Sequence, residues 1–342
     1  MKTVKAVAPY IYPGGINFKH KPYEAWVRLG GQVAPAHYPP RWLHGWAFRY
    51  EIPTWGGSIV QKFRSSKVLR AMLSNGQNSE QILNCHREAR LRFVQPVAIK
   101  FDTFPDYAIH EVIPFFWDCW PDNYDETADW LRRYEVRTAM FTSSQTAEVM
   151  QRRFPDINIL YVPEGIDVKE YGGGLSLKQR ENPLYEIGQG RRCFLKTHYP
   201  EDYERISILP ANGLLPDKES FIRALCEAKV TVTFPRCDMM PEETGGIETL
   251  TQRYWEAMLT RSVIVGRAPK ELIELIGYNP VIDMDKTHPI GQIENILAHI
   301  EEYQPMVDKN RETALKMGDW NVRMTWVAEW LDSCGYDCGI KH

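Results

Sequence analysis

The chain has 342 residues, of which 44% are hydrophobic and 25% charged, and its formal net charge is -3 at pH 7. This length is too great for one core of ordinary size and predicts two domains, and the small negative charge excludes a general attraction for nucleic acids. The seven cysteines have no zinc-ligand spacing, which predicts reduced thiols in a cytoplasmic protein. The N-terminal segment lacks the apolar core of a signal peptide, and no apolar run of roughly 18 residues predicts a membrane-spanning helix.

In the first half, short β-branched or aromatic runs alternate with amphipathic stretches, as in βαβ units around a mainly parallel sheet. The predicted strands are KAVAPYI, PVAIKF, EVIPFFW, AMFTS and INILYVP. The predicted helices between them are KPYEAWVRLG, SEQILNCHREARLR, DETADWLRRYE and SQTAEVMQRRF. The first half is therefore predicted to form one α/β domain.

Within this half, segment 38–64, YPPRWLHGWAFRYEIPTWGGSIVQKFR, mixes basic with aromatic side chains. Such a mixture suits a membrane interface or a surface on which sugars stack, with Trp42 and Trp46 as candidates. The alternative is that several of these aromatic side chains belong to the core. Peripheral contact with the inner face of the cytoplasmic membrane is therefore an open alternative.

Glycines and polar residues cluster in VPEGIDVKEYGGGLSLKQRENP, where the apolar periodicity lapses. We therefore predict a hinge at residues 165–182, between a first domain at 1–170 and a second at 171–320. Residues 321–342 are predicted to form a C-terminal helix that packs back on the first domain. Its sequence, WNVRMTWVAEWLDSCGYD, contains an apolar stripe that must be buried; the stripe consists of Trp320, Trp326, Val327 and Trp330.

The second half repeats the alternation of strands and helices more cleanly. The predicted strands are KVTVTFP, RSVIVG and NPVIDMD. The predicted helices are IETLTQRYWEAMLT, PKELIELIG and GQIENILAHIEEY. Open α/β sheets bind ligands at the carboxyl ends of their strands, so the loop after KVTVTFP is the first place to look for a site.

Gly245 and Gly246 lie in that loop and precede two glutamates eight positions apart, Glu248 and Glu256. Helix N-terminal amides attract anions, and glycines let a diphosphate approach the backbone. Eight helical residues advance about 12 Å, so the two carboxylates could bind hydroxyls at opposite ends of a sugar nucleotide. The alternative is that Glu248 complements the helix dipole and Glu256 lies on a solvated face.

The stretch ETLTQRYWEAMLTRSVIVGRAPKELIELIGYNPVI resembles the C-terminal nucleotide-sugar-binding region of GT-B glycosyltransferases. The closest likeness is to the Glu-x7-Glu motif of the retaining family 4, whose members act in polysaccharide biosynthesis. The resemblance implies an α/β GT-B fold, with two Rossmann-like lobes whose parallel sheets face each other across a cleft. It also implies that Glu248 holds hydroxyls of the transferred sugar and Glu256 the ribose. The backbone amides implied for the sugar or phosphate are those of Gly245, Gly246 and Ile247.

Two further segments resemble donor-binding motifs of this family. GQGRRCFLK is similar to a Gly-Arg-x4-Lys signature, which implies that Arg191 and Lys196 clasp the diphosphate, with Arg192 as an alternative. YPGGINFKH is similar to the glycine-rich first loop, which places Gly14 and Gly15 against the donor. The alternative for each is an ordinary surface turn.

The segment WDCWP resembles the His-Asp-x-Trp-Pro segment of many relatives. Trp117 replaces the histidine, so the histidine's contact with the donor sugar is not carried over. Asp118 is carried over as a catalytic residue and Trp120 as an acceptor-side candidate, together with Trp42 and Trp46.

The resemblance implies transfer of a sugar from a UDP- or GDP-linked donor to a hydroxyl of a glycan or lipid-linked acceptor, with retention and without a metal or other cofactor. Glu248, Asp118, Arg191 and Lys196 form the catalytic set. If the reaction instead inverts the anomeric carbon, Asp118 must act as general base. A nucleotide-sugar 2-epimerase of the same fold is one alternative function. A non-catalytic nucleotide-sugar-binding module of a polysaccharide assembly complex is the other.

Overall fold

The computed structural model describes residues 1–10, 18–36, 88–103, 106–188, 190–209, 215 and 217–340. The chain divides into two compact units, Met1–Val162 with Asn321–His342, and Pro163–Trp320. In the described residues the strands are, in chain order, β1 Lys2–Val7, β2 Val33–Ala34, β3 Glu88–Val94, β4 Glu111–Phe116, β5 Thr138–Phe141, β6 Asn158–Tyr161, β7 Asn182–Glu186, β8 Ala228–Thr233, β9 Val263–Gly266, β10 Ile282–Asp283 and β11 Tyr336–Asp337.

The first unit is built on a seven-stranded parallel sheet. Its strand order is β11-β1-β3-β4-β5-β6, and β2 pairs with β1. The rings of Phe116 and Phe141, on neighbouring strands, stack with centroids 4.9 Å apart in its core. The helices of this unit are His20–Arg28, Ile99–Asp102, Asp106–Ile109, Tyr124–Arg133, Ser144–Arg153 and the C-terminal Trp320–Ser333.

The sequence-based prediction was wrong around β3. Residues 88–92, predicted as helix, are strand, and residues 96–101, predicted as strand, form a 3-10 turn and the start of a helix. Arg90 and Arg92 lie on one face of β3 and are buried. Arg90 Nη1 is 2.7 Å from Glu88, and Arg92 Nη1 is 3.4 Å from Asp106. These two cations are paired inside the protein. Their polar side chains made the segment resemble an amphipathic helix in the sequence, although it is a buried strand.

The second unit is built on a four-stranded parallel sheet with the order β10-β9-β8-β7. Alternate side chains of β9 enter two different cores, since Ile264 packs with Trp255 on one face and Val265 packs with Leu195 on the other. The sheet is therefore covered on both faces. The helices of this unit are Phe194–His198, Pro200–Ile206, Lys218–Glu227, Arg236–Met239, Pro241–Thr244, Gln252–Leu259, Lys270–Ile276, Pro289–Ala298 and Gln304–Met317.

The C-terminal segment returns to the first unit. Residues Asn321–His342 belong to that unit, and β11 pairs with β1 so that Tyr336 lies opposite Lys2. The predicted fold class, α/β with two parallel sheets and a returning C-terminal segment, is confirmed. Over the described residues, no helix is both long and apolar enough to cross a bilayer.

The apolar stripe of the C-terminal helix differs from the predicted one. Trp326 is 38% exposed, and the guanidinium of Arg323 lies 4.6 Å from its ring centroid. The buried apolar positions after Trp320 are Met324, Val327, Ala328 and Leu331, and Arg323 is buried beside them. They follow the helical repeat of three to four residues from Trp320, and Trp326 lies beside that line.

Candidate functional site

The glycine pair lies in the second unit, after β8. This strand ends at Thr233 and is followed by two short helices, Arg236–Met239 and Pro241–Thr244. Gly245 and Gly246 have φ angles of +57° and +78°, a left-handed backbone that glycine adopts without steric cost. The pair therefore ends the second short helix and turns the chain.

The next helix, which we call the site helix, starts later than predicted. It spans Gln252–Leu259, so Glu248 lies four residues before it and only Glu256 lies on it. The amide of Leu250 donates to the carboxylate of Glu271 at 2.7 Å, which holds the preceding segment outside the helix. The predicted spacing of the two glutamates along one helix was therefore wrong.

Glu248 is part of an ion-pair network at the carboxyl end of β9. Its Oε2 lies 2.6 Å from Nη1 of Arg267, the residue that follows β9, and its Oε1 accepts a hydrogen bond from the amide of Lys270. Arg267 also contacts both carboxylate oxygens of Asp238, at 2.6 and 2.7 Å. Hydrogen bonds to Asp238, opposed by burial and reinforced by Glu248, raise the pKa of Arg267. The position of the Glu248 carboxylate is thereby fixed from two sides.

Glu256 has a different environment. Its Oε1 accepts a hydrogen bond from the hydroxyl of Tyr171 at 2.9 Å. Burial raises the pKa of Glu256, against the lowering effects of Tyr171 and Arg253. Burial and the neighbouring Glu256 carboxylate also raise the pKa of Tyr171, which therefore remains a hydrogen-bond donor. Within the described part of the chain the Glu256 carboxylate accepts no other hydrogen bond, so Oε2 retains its acceptor capacity.

The N-terminal end of the site helix has no side-chain cap. Thr251 occupies the N-cap position but its side chain accepts no amide hydrogen bond, and the first turn contains no acidic residue. The amide of Ile247 donates to the carbonyl of Thr244 at 3.1 Å and so closes the glycine turn. Amides at a helix N-terminus carry partial positive charge. This end of the helix can therefore bind an anion.

The Gly-Arg-x4-Lys segment follows β7. It forms a 3-10 turn at Gly190–Arg192 and a short helix at Phe194–His198. The side chains of Arg191 and Arg192 are exposed and form no ion pair with another described residue. Guanidinium groups in this condition suit two-point binding of phosphate oxygens.

Lys196 is half-buried. Its Nζ donates to the backbone carbonyl of Glu186 at 2.9 Å and lies 5.0 Å and 5.2 Å from the ring centroids of Tyr185 and Tyr203. Burial lowers the pKa of Lys196, while Cys193 and Glu186 act in the opposite direction. The ammonium group is therefore held by the protein at the end of β7.

The side chain of Glu186 caps the helix Phe194–His198. Its carboxylate accepts hydrogen bonds from the amides of Phe194 at 2.6 Å, Leu195 at 3.1 Å and Lys196 at 2.8 Å. Burial raises the pKa of Glu186 to about 7, and the three amides and the Lys196 ammonium oppose that rise. The protein thus supplies its own anion to this helix end.

The WDCWP residues lie in the first unit, at the carboxyl ends of β3 and β4. Asp118 has a φ of +51°, and its Oδ2 accepts a hydrogen bond from Nε2 of Gln95 at 3.1 Å. Trp117 is buried, with its ring centroid 4.1 Å from that of Phe115. Trp120 is also buried. The tryptophan at the histidine position therefore belongs to an aromatic core, whereas Asp118 is held in a backbone conformation uncommon for aspartate.

Four predicted site residues lie outside the described residues. They are Gly14, Gly15, Trp42 and Trp46, and the aromatic and basic segment 38–64 lies outside them with the two tryptophans. Their assignment to donor or acceptor binding stays a prediction.

Three side chains that build the site were missed by sequence reasoning. Arg267 could have been found, because it directly follows the predicted strand RSVIVG and so lies at a strand end. Asp238 lies in the loop predicted after KVTVTFP, whose sequence does not signal its pairing with Arg267. Tyr171 is 85 positions from its partner Glu256, and no local pattern signals a pairing at that distance.

Whole-structure comparison finds solved glycosyltransferases with this fold. Anabaena HepE, solved in complex with UDP and glucose, has a TM-score of 0.54 at 10% identity, over 97% of this chain and 100% of that chain. AviGT4, a glycosyltransferase involved in avilamycin A biosynthesis, has a TM-score of 0.52 at 13% identity, over 98% of each chain. A glycosyltransferase from Rickettsia africae has a TM-score of 0.52 at 9% identity, over 97% of this chain and 98% of that one.

No protein-family model and no curated protein matches the chain by sequence. At 9–13% identity the likeness to the solved structures concerns the fold. That fold, predicted from the stretch around Glu248 and Glu256, is confirmed: the chain has the architecture of GT-B glycosyltransferases.

Proposed function

We propose that this protein transfers a sugar from a nucleoside diphosphate donor to a hydroxyl group of a glycan or glycolipid, with retention of anomeric configuration and without a metal ion. One observation carries the proposal. In the second unit, two acidic side chains follow a left-handed glycine turn, one on each side of an uncapped helix start, at the carboxyl ends of parallel strands. This arrangement offers carboxylate acceptors for hydroxyls on either side of a place for phosphate.

Glu248 is the candidate ligand for the transferred sugar. Each carboxylate oxygen can accept about two hydrogen bonds, and the contacts to Arg267 and the Lys270 amide use one at each oxygen. Sugar hydroxyls would therefore bind to a carboxylate that the protein already positions. Since Arg267 holds the carboxylate in place, little orientational freedom is lost when the donor binds.

Glu256 is the candidate ligand for the ribose of the donor. The Tyr171 hydroxyl occupies Oε1 and leaves Oε2 for a ribose hydroxyl. Because the site is buried, a hydroxyl that fails to reach this carboxylate would leave it unsatisfied, which disfavours ligands that lack the ribose.

Arg191 and Arg192 are the candidates for stabilising the leaving diphosphate. Their exposed guanidinium groups can approach the phosphate oxygens as negative charge develops there. Lys196 contributes positive charge from its fixed position at the end of β7. The amides of Gly245 and Gly246 are additional candidate donors.

For retention, the anomeric carbon's bond to the leaving phosphate oxygen breaks and its bond to the acceptor oxygen forms on the same face of the sugar. The acceptor's proton passes to the leaving phosphate oxygen, so no protein base is required. In the first unit, Asp118 and Trp120 are the candidates for binding the acceptor. Cations around the diphosphate lower the barrier by stabilising the charge that the leaving group acquires.

The proposal is tested first by thermal unfolding with UDP, GDP, ADP and their sugars. Stabilisation grows with the logarithm of ligand concentration over Kd and reaches about 2.7 kcal/mol at 100 times Kd. We expect one nucleotide and its sugars to raise the Tm most. Transfer by the wild-type protein is then followed with that donor and candidate acceptors, and NMR of the product gives the anomeric configuration.

Variants at the two glutamates separate their roles. Glu256→Ala is expected to weaken nucleotide binding by about 10- to 100-fold, whereas Glu248→Ala is expected to lower turnover by about 100-fold. Glu312→Ala, at an exposed position of the same unit, is the matched control. Wild-type activity in both site variants would refute the assignment.

A non-catalytic nucleotide-sugar-binding module is the second candidate function. It is favoured by Trp117, which replaces the family's histidine and is buried in an aromatic core. Tight donor binding without turnover across acceptors would select this alternative.

A further inference from the structure

Glu186, the last residue of β7, is the buried acid against which the Gly-Arg-x4-Lys segment closes. The residue is 1% exposed. Its carboxylate accepts hydrogen bonds from the amides of Phe194, Leu195 and Lys196. Its backbone carbonyl accepts a further hydrogen bond from the Lys196 ammonium group. One buried residue therefore holds both the backbone and the terminal lysine of this segment.

Residues 190–196, which we call the arginine segment, fold back against the end of β7. Gly188 has a φ of +136°, and a Cβ atom at that position would lie 3.0 Å from Sγ of Cys193, so the two stretches are in close contact. Cys193 is buried, whereas Arg191 and Arg192 are exposed. The arginine segment is thus fixed at its inner end and presents two guanidinium groups to the solvent.

The ionised form of Glu186 suits these contacts better than the neutral form. A carboxylate is purely an acceptor, and hydrogen bonds to it are roughly twice as strong as those to a neutral group. Protonation makes both oxygens weaker acceptors and adds an O–H donor to a place lined by the N–H donors of three amides. The arginine segment is therefore held less firmly when Glu186 is protonated.

Glu186 changes its charge near neutral pH. Burial raises its pKa to about 7, and the three amides and the Lys196 ammonium oppose that rise. The thiol of Cys193 and the hydroxyl of Tyr203 also lie against it, and burial raises their pKa values to about 11 and about 12. The residue that pairs with Glu186 on β8 is Val232, which does not ionise. Between about pH 5 and pH 8, Cys193 and Tyr203 therefore stay neutral while Glu186 titrates.

We infer that Glu186 is a positioning residue for donor binding, whose ionised carboxylate holds the arginine segment where Arg191 and Arg192 reach the diphosphate. This inference rests on the proposed function for the identity of the ligand and for the role of the two arginines. It adds regulation to that site, because donor affinity then rises as Glu186 loses its proton. Glu186 itself does not touch the ligand.

The test measures binding of inorganic pyrophosphate, UDP, GDP and ADP to the wild type and to Glu186→Gln by isothermal titration calorimetry at pH 5.5 and pH 8. Glutamine has the shape of the protonated acid and does not titrate. The ratio of wild-type to variant affinity cancels the ionisation of the ligand itself. We expect a ratio within about 2-fold of unity at pH 5.5 and of about 10-fold at pH 8.

A combination of variants separates positioning from a general loss of structure. Because Glu186 acts through the two arginines, its effect must depend on them. In a protein that carries Arg191→Gln and Arg192→Gln, we expect Glu186→Gln to change pyrophosphate affinity at pH 8 by less than about 2-fold. The full 10-fold effect in that background would contradict the inference.

Asp217→Asn is the matched control, because Asp217 is exposed in the same unit and caps another helix through the amide of Ser220 at 2.7 Å. Its affinity is expected to equal that of the wild type at both pH values. Thermal unfolding without ligand shows whether Glu186→Gln remains folded. If it does not, hydrogen exchange of the wild-type amides at 194–196 decides, since their protection relative to intrinsic rates must be greater at pH 8 than at pH 5.5.

The outcomes distinguish this inference from the proposed function. If pyrophosphate gives the expected rise in the ratio but no nucleoside diphosphate binds more tightly than pyrophosphate, the role of Glu186 stands and the sugar-nucleotide donor is wrong. If a nucleoside diphosphate binds with a ratio that is constant or falls as pH rises, or if Asp217→Asn gives the same loss, the donor stands and the role of Glu186 is wrong. If the wild type binds none of these probes, both are wrong.

Discussion

The two ends of the site helix both carry arginines, but in opposite electrostatic settings. At the C-terminal end, the carbonyl of Thr260 accepts a hydrogen bond from Arg180 at 2.7 Å, and that of Leu259 accepts one from Arg311. Cations are favourable there because carbonyl groups give that end partial negative charge. At the N-terminal end, Arg253 adds positive charge to an end that is already positive.

The two arginines also differ in how far the protein satisfies their donors. Arg180 is 3% exposed and donates to four backbone carbonyls, so the protein itself satisfies it. Arg253 has a buried donor that no described residue satisfies. The first arrangement stabilises the fold, whereas the second leaves one donor of Arg253 without an acceptor among the described residues.

The largest effect is expected at the C-terminal end. Arg180→Met removes donors from the carbonyls of Ala228 and Thr260, at 2.6 and 2.7 Å, and from two others. The carbonyls of Leu175 and Thr260 lose their donor, whereas those of Ala228 and Gly173 keep Ser262 and Arg261. An acceptor left unpaired costs about 1 to 3 kcal/mol, so we expect a loss of about 3 to 5 kcal/mol in unfolding free energy. Denaturant titration checks this, with the exposed Arg223→Met as control. A smaller loss of unfolding free energy in Arg180→Met than in Arg253→Gln would contradict the comparison.

The N-terminus of the helix Phe194–His198, which is capped by Glu186, extends the comparison to the effect of pH on stability. Because burial raises the pKa of Glu186 to about 7 from an ordinary 4.5, the folded protein holds this proton more tightly than the unfolded chain. Its contribution to stability therefore falls as pH rises from about 4.5 to 7, by up to about 3 kcal/mol.

Glu186→Gln abolishes that titration. The unfolding free energy of the wild type minus that of the variant is expected to decrease between pH 5 and pH 8. Denaturant titrations at the two pH values measure it. A difference that is constant, or that grows with pH, would show that the capping carboxylate is ionised throughout this range.

An engineered N-cap residue on the site helix tests whether the N-terminal end of this helix binds an anion. Thr251→Asp places a carboxylate at the N-cap, next to Arg253. We expect the ligand-free protein to gain about 1 kcal/mol in stability and its affinity for pyrophosphate to fall by about 10-fold, since the two anions compete. Thr251→Asn, an uncharged N-cap residue, is the control; an equal fall in affinity there would point to shape and not charge.

The smallest effect is expected from the contact that orients Glu256. Tyr171→Phe removes the 2.9 Å hydrogen bond to its carboxylate but keeps the buried ring. A hydrogen bond of this kind contributes about 1 kcal/mol, so nucleotide affinity is expected to fall by about 5-fold or less. Isothermal titration calorimetry measures the change. A loss as great as that of Glu256→Ala would mean that Tyr171 contacts the ligand itself.

Two central strands of the second unit could be predicted because their polarity is simple, whereas β7, Asn182–Glu186, was missed. KVTVTFP and RSVIVG are apolar runs bounded by polar turns, and both form strands, β8 and β9. β3 could not be predicted in the same way, since Arg90 and Arg92 are buried and paired with Glu88 and with Asp106, which lies on a later helix. Burial of charge depends on tertiary pairing, which local pattern does not contain.

The site was predictable only in part for the same reason. The glycine pair marked the turn, because left-handed backbone is a local property. The start of the site helix could not be predicted from local sequence, because it depends on a hydrogen bond from the Leu250 amide to the carboxylate of Glu271, 21 positions away. The sequence also does not show that Arg253 Nη1 lacks a hydrogen-bond partner among the described residues, because that depends on the tertiary structure.

The parallel pairing of β11 with β1 has a consequence for synthesis of the chain. The first unit joins Met1–Val162 to Asn321–His342, whereas the second is one continuous stretch, Pro163–Trp320. During translation the second unit can complete its own sheet while the outermost strand of the first is still to be made. The residues of β1 must therefore wait until β11 has been synthesised before their sheet is finished.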